Sequence, residues 1–97
     1  MKNKIKELLE GKKVVIRPKG NSMFPLIKSK QAVLVGPVRL QDCEVDDVVL
    51  CKVKGKIYLH LIKAKDKKRG VQICNKKGRV NGWTKTVYGR VAVIFEK

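Results

Sequence analysis

The sequence predicts a mainly β domain: a coiled β-sheet or incomplete barrel of about six short strands, with one short N-terminal helix. Three observations carry this. Most of the chain beyond residue 13 falls into short runs rich in Val, Ile and Leu, which suit a pleated, half-buried surface. Gly or Pro separates most of these runs, as tight turns require. With 97 residues, 43% of them hydrophobic, the chain has material for one modest core, and residues 1–97 read as a single domain.

The elements follow in order. Ile5, Leu8 and Leu9 recur at helical spacing among Lys and Glu, with Gly11 just beyond, so residues 3–10 read as a short amphipathic helix. The period then changes, and 14–17, 32–35, 47–53, 56–63, 70–74 and 86–95 read as strands. Lys54-Gly55 suits a two-residue turn, making 47–53 and 56–63 antiparallel neighbours. The two-residue period places Ile57, Leu59 and Leu61 on one face of that second strand, and Tyr58, His60 and Ile62 on the other.

Lys and Arg total 24 against 8 Asp and Glu, a formal net charge of +16. Such a charge favours acidic partners, including nucleic acid. Only Arg17, Arg39, Arg69, Arg79 and Arg90 are Arg, however, and Lys supplies a point charge in place of the fork that reads bases. The attraction implied is therefore nonspecific. Lys63, Lys65, Lys67, Lys68, Arg69, Lys76, Lys77, Arg79 and Lys85 lie against Asp66 alone, and read either as one basic face or as ordinary solvated surface. Trp83, within this stretch, is suited to stacking on a base or a peptide side chain, or to simple packing.

Cys43, Cys51 and Cys74 are odd in number and fit neither a disulfide framework nor a zinc-site spacing, so reduced thiols in the cytoplasm are expected. No run of about 18 apolar residues suggests a membrane anchor. No metal or cofactor is implied.

The segment Gly20-Asn21-Ser22-Met23-Phe24-Pro25 carries the chemistry. Gly20 permits an unusual backbone turn and Pro25 biases Phe24 away from helix, so Ser22 is expected in a fixed, non-helical loop. A nucleophilic serine needs a base for its proton and donors aimed at the oxyanion, and a loop serine without them is inert.

This segment resembles the Gly-x-Ser-Met-x-Pro box of signal peptidase I and the LexA-type serine peptidases. The run Ala32-Val33-Leu34-Val35 is similar to the strand after the box, and Asp46-Asp47-Val48-Val49 to the family's Gly-Asp-hydrophobic-Val element. Tyr58-Leu59-His60-Leu61-Ile62 resembles the strand bearing the general base, and Tyr88-Gly89-Arg90-Val91-Ala92-Val93-Ile94 the closing strand. The resemblance covers residues 14–95 in order, and implies a serine endopeptidase acting on an extended peptide by acyl transfer.

In that reading Ser22 is the nucleophile and His60, at the place of the family's Lys or His base, takes its proton; the alternative for His60 is simple packing in the sheet. An ordinary histidine pKa near 6.5 leaves much of the imidazole neutral at cytosolic pH. Lys63 competes as a base, but odd spacing turns it from the face of His60. Gly20, Met23 and Phe24 belong to the oxyanion site and crevice, with core packing the alternative for the latter two. Asn75 stands near the family's orienting Asp.

Three features depart from the family pattern: Ser29-Lys30-Gln31 replaces a Gly-Asp pair, the later Gly-Asp-Asn element with its orienting carboxylate appears only as Ile73-Cys74-Asn75 followed by Gly78-Arg79-Val80-Asn81-Gly82-Trp83, and Gly20 stands where relatives place a hydroxyl. The chain shows no transmembrane anchor, no room for a helix-turn-helix and no Ala-Gly or Cys-Gly bond, so an export peptidase or a self-cleaving repressor is not expected. A small stand-alone member, of the kind associated with phage or mobile elements, fits better. The competing reading is a peptidase-fold binding module without catalysis, holding nucleic acid or an acidic protein on its basic residues.

Overall fold

The computed structural model describes residues 1–96. Helix α1 (Lys2–Leu9) is followed by strands β1 (Val14–Ile16), β2 (Val33–Pro37), β3 (Val48–Val53), β4 (Lys56–Asp66), β5 (Gly70–Cys74), β6 (Val80–Thr84) and β7 (Val87–Ile94), with a single 3₁₀ turn at Leu40–Asp42. All seven strands form one antiparallel sheet in the order β1-β2-β7-β3-β4-β5-β6. The mainly β architecture and the short N-terminal helix are as the sequence predicts.

The sheet coils without closing because its central strands are apolar on both faces. On β3, Val48 and Leu50 point into a cluster with Leu8, Ile16, Met23 and Leu59. Val49, Cys51 and Val53 alternate into a second cluster with Ile62, Val71 and Ile73. A flat sheet leaves one of these faces wet, at about 1.5–3 kcal/mol for each large side chain exposed. Curling encloses the second cluster, and α1 helps cover the first through Ile5 and Leu8.

The predicted β3–β4 hairpin is present, with Val53 opposite Lys56 and positive φ at both Lys54 (51°) and Gly55 (84°). Those angles are what a two-residue turn needs to match the strands' right-handed twist. Its effect is to set the register that places His60 opposite Val49, on the second cluster's face.

Two features were not anticipated. β4 continues to Asp66 through a register shift between Ile62 and Ala64, which leaves Lys63 as the unpaired residue of a bulge. The segment Val80-Asn81-Gly82-Trp83-Thr84, unassigned from sequence, is a strand paired with β5. It folds back towards β3: Thr84 Oγ1 donates to the Lys52 carbonyl at 2.6 Å, and the Lys52 amide donates to the Thr86 carbonyl at 3.0 Å. Gly82, at φ 139°, allows this approach, since a Cβ there would lie 3.1 Å from Val53 Cγ1.

All nine cations of the basic stretch are exposed. Topology divides them, however. Lys67, Lys68 and Arg69 sit in the β4–β5 turn, and Lys76, Lys77 and Arg79 in the β5–β6 turn, at opposite ends of β5. Arg69 pairs with Asp66 at 3.5 Å and stacks over Trp83 at 4.1 Å from the ring centroid. Trp83 is thus half-buried with one face already covered by a cation.

Candidate active site

Ser22 stands exposed in the loop joining β1 to β2. Several bonds hold this loop, three of them linking it across its own width or to the β5–β6 turn. The Gly20 amide donates to Ser29 Oγ at 3.0 Å, the Lys30 amide donates to the Pro18 carbonyl at 2.6 Å, and the Lys76 amide donates to the Ser22 carbonyl at 2.9 Å. Phe24-Pro25 is a cis peptide, and the turn continues through an Ile27 amide bond to the Met23 carbonyl at 2.9 Å. Met23 and Ile27 then anchor the loop in the first cluster.

The Ser29-Lys30-Gln31 segment, which departs from the family pattern, has a structural role of its own. Besides the Ser29 clamp, Gln31 Oε1 accepts from the Lys28 amide at 2.9 Å, and Gln31 Nε2 donates to the Phe95 carbonyl at 2.8 Å. These bonds tie the Ser22 loop to the end of β7.

His60 approaches from β4 and is only 7% exposed. Its Nε2 lies 3.1 Å from Ser22 Oγ, and its Nδ1 lies 2.7 Å from Asn81 Oδ1. An amide oxygen only accepts, so Nδ1 carries the ring proton and Nε2 presents its lone pair to the serine hydroxyl. Burial pushes the imidazole pKa below its ordinary value of 6.5, against a smaller upward pull from the Asn81 bond. Burial thus favours the neutral ring, the form that can accept a hydrogen bond at Nε2. The Tyr58 ring, tilted 34° with its centroid 4.9 Å away, flanks the imidazole on the same strand.

The orienting residue is Asn81, and Asn75 has a different task. Asn75 Oδ1 accepts from the Lys77 and Arg79 amides, each at 2.9 Å, and so closes the β5–β6 turn. That turn sets where β6 begins and supplies the Lys76 amide to the Ser22 carbonyl. Asn75 thus shapes both supports of the dyad without touching either ring nitrogen.

A cleft of about 510 Å³ opens beside the dyad. Its apolar wall includes Ile16, Met23, Ile27, Leu50 and Leu59, and Gly20 lines its rim. Met23, 4% exposed, serves both as cleft wall and as core. Phe24 is 48% exposed and does not line the cleft. Lys63, exposed at the bulge, does not line it either. Among the described residues, the backbone amides of Ser22 and Met23 have no intramolecular acceptor, leaving them available to an incoming oxygen.

Strand edges flank the same cleft. β1 is an outer strand of the sheet, while β5 pairs with β4 only from Leu61 onward, leaving residues 57–60 with one free edge. Unpaired strand edges are templates for an extended peptide. No helix among the described residues is long and apolar enough to cross a membrane, and none of their His, Cys, Asp and Glu side chains cluster as a metal site. Cys43, Cys51 and Cys74 are buried free thiols, with Cys51 pushed up to about 12 by burial.

Comparison with family models, curated proteins and solved structures found no match to this chain.

Proposed function

We propose that this protein is a serine endopeptidase that cleaves an extended peptide by acyl transfer, with Ser22 as nucleophile, His60 as general base and Asn81 as positioning residue. The observation that carries the reading is the Ser22–His60–Asn81 chain of hydrogen bonds, at 3.1 and 2.7 Å, beside a peptide-sized cleft. Any buried histidine needs hydrogen-bond partners; what favours the catalytic reading is that the Nε2 partner is the hydroxyl of an exposed loop serine that itself lines the cleft.

The chemistry follows from the geometry. As Ser22 Oγ attacks the scissile carbonyl carbon, its proton passes to His60 Nε2 and the carbonyl π pair moves to oxygen. The Ser22 and Met23 amides are the donors on hand for that oxyanion. Collapse expels the amine, which takes the Nε2 proton, and leaves an acyl ester on Ser22. Water, deprotonated by His60 in turn, attacks the ester; collapse releases the acid as the Nε2 proton returns to Ser22 Oγ. Asn81 keeps the ring in the productive tautomer throughout, although a neutral amide stabilises the transient imidazolium less than a carboxylate does.

The reading is tested by incubating the protein with a panel of serine-directed phosphonates and boronates, followed by intact-mass analysis. A single adduct on Ser22, absent in Ser22→Ala and in His60→Ala, is expected. Absence of any adduct, together with no cleavage of a random peptide library, overturns it.

The +16 charge favours a second reading, a binding module for polyanions that keeps the fold without the chemistry. It predicts affinity for DNA or RNA that falls steeply with salt. Salt-insensitive or undetectable binding at low ionic strength removes it.

A further inference from the structure

The cleft has an electrostatic character that the catalytic groups do not require. Two of its lining residues carry charged side chains, Arg17 and Lys19, and both are cations. None of the chain's eight Asp and Glu residues lines it. Asp42, Glu44, Asp46 and Asp47 precede β3, where Asp47 is engaged with Arg90 at 3.2 Å. The backbone of Lys76 lies beside Ser22, its amide N–H donating to the Ser22 carbonyl.

The same cleft has an apolar wall that includes Ile16, Met23, Leu50 and Leu59. We infer that the site selects an extended peptide with an apolar side chain for this wall and acidic side chains close to the scissile bond, read by Lys19 and Arg17. The inference rests on the peptidase reading and adds to it the class of substrate.

Reach supports it. Lys19 is three residues from Ser22, a backbone span of at most about 11 Å. An extended substrate advances about 3.3 Å per residue, so a carboxylate within about three residues of the scissile bond meets the Lys19 ammonium. Arg17 donates through Nη1 to the Lys30 carbonyl at 3.3 Å, which holds the guanidinium at the base of the same loop. Lys19 forms no hydrogen bond or ion pair among the described residues, so an incoming carboxylate displaces no partner from it. A nucleic acid also complements cations, but the cleft wall is largely aliphatic, and the one Tyr, Phe or Trp ring lining it, Tyr58, is packed at a tilt against His60. That arrangement favours a peptide.

The test uses Ser22→Ala, which binds without cleaving, and dye-labelled peptide pools in which each position in turn is fixed as Glu, Gln or Lys. Glu-fixed pools are expected to bind about five- to tenfold more tightly than Gln-fixed pools at one or two adjacent positions. High salt and Lys19→Gln should each bring that ratio towards one, and Lys19→Glu should shift the preference to the Lys-fixed pool. Equal binding of Glu and Gln pools overturns the inference, as does a Glu preference that Lys19→Gln leaves intact. Tighter binding of a single-stranded oligonucleotide, weakened by the same Lys19 variants, also overturns it. If Ser22→Ala selects Glu pools while the wild type cleaves none of them, the acidic specificity stands and the peptidase reading falls.

Discussion

The two halves of the candidate site are built differently. Ser22 is exposed in an irregular loop that owes its shape to a few hydrogen bonds, from Gly20 to Ser29, Lys30 to Pro18 and Lys76 to Ser22. His60 is buried in a strand, clamped by the β3 register and by Asn81 on β6. The loop offers access to substrate, and the sheet offers precision. In the proposed reaction, such a division lets the Ser22 oxygen meet solvent and peptide while His60 stays desolvated and held by Asn81.

Changes on the two sides should therefore separate activity from stability. The largest effect is expected from the dyad itself. Ser22→Ala and His60→Ala should each lower kcat/KM by about 10³-fold or more. Thermal unfolding should distinguish them: Ser22→Ala stays within about 0.5 kcal/mol of wild type, whereas His60→Ala loses about 1–3 kcal/mol by stranding Asn81 and opening the sheet face. Equal destabilisation by both would erase the contrast between loop and strand.

Next comes the pair of asparagines. Asn81→Ala should reduce kcat by about 10–100-fold with little change in KM, because the wrong ring tautomer then competes. Asn75→Ala should cost about 1 kcal/mol of stability through the two amides it leaves unbonded, with a smaller loss of rate. A reversal of these two kinetic effects would return the orienting role to Asn75.

The pH dependence sharpens the picture of the buried side. Protonated His60 accepts no proton from Ser22, so the rate should rise through a pKa below 6.5 and level off above it. Stability follows the same sense. Because the folded pKa is depressed, the neutral ring's contribution is complete above the unfolded value of about 6.5 and is lost as pH falls through the folded value. A rate profile with its acid limb above 6.5 would contradict the burial of the base. Asn81→Asp should move that limb upward, as a carboxylate favours imidazolium.

The smallest effect is expected in the loop clamp. Ser29→Ala removes the acceptor for the Gly20 amide and should cost about 0.5–1.5 kcal/mol, with a loss of rate of a few fold that Ser29→Thr restores. An unchanged rate would show that the remaining loop bonds suffice.

The strand that sequence did not reveal explains the misplaced asparagine. Val80-Asn81-Gly82-Trp83-Thr84 has a polar residue and a Gly at its centre, features that read as a loop. It is extended because the β5 edge offers its backbone a partner, and because Gly82 lets it pass close to Val53. The signal of a β-branched residue at each end, Val80 and Thr84, was present but weak. Asn75, in contrast, drew attention by its place in the family pattern. Its preference for closing a turn on neighbouring amides gives it a local task instead. The spread of the nine cations was equally hidden, since residues close in sequence are carried to opposite ends of a strand by two successive hairpins.

Local rules were enough to reach the β-rich class, the turn at Lys54-Gly55, the loop around Ser22 and the face of β4 that carries His60. Each depends on spacing within a few residues, through backbone sterics or the two-residue period of a strand. The meeting of Ser22 with His60 and the choice of Asn81 join residues 38 and 21 positions apart. Their placement is decided by sheet order, by register shifts and by which apolar faces must be enclosed, and only the folded chain fixes those together.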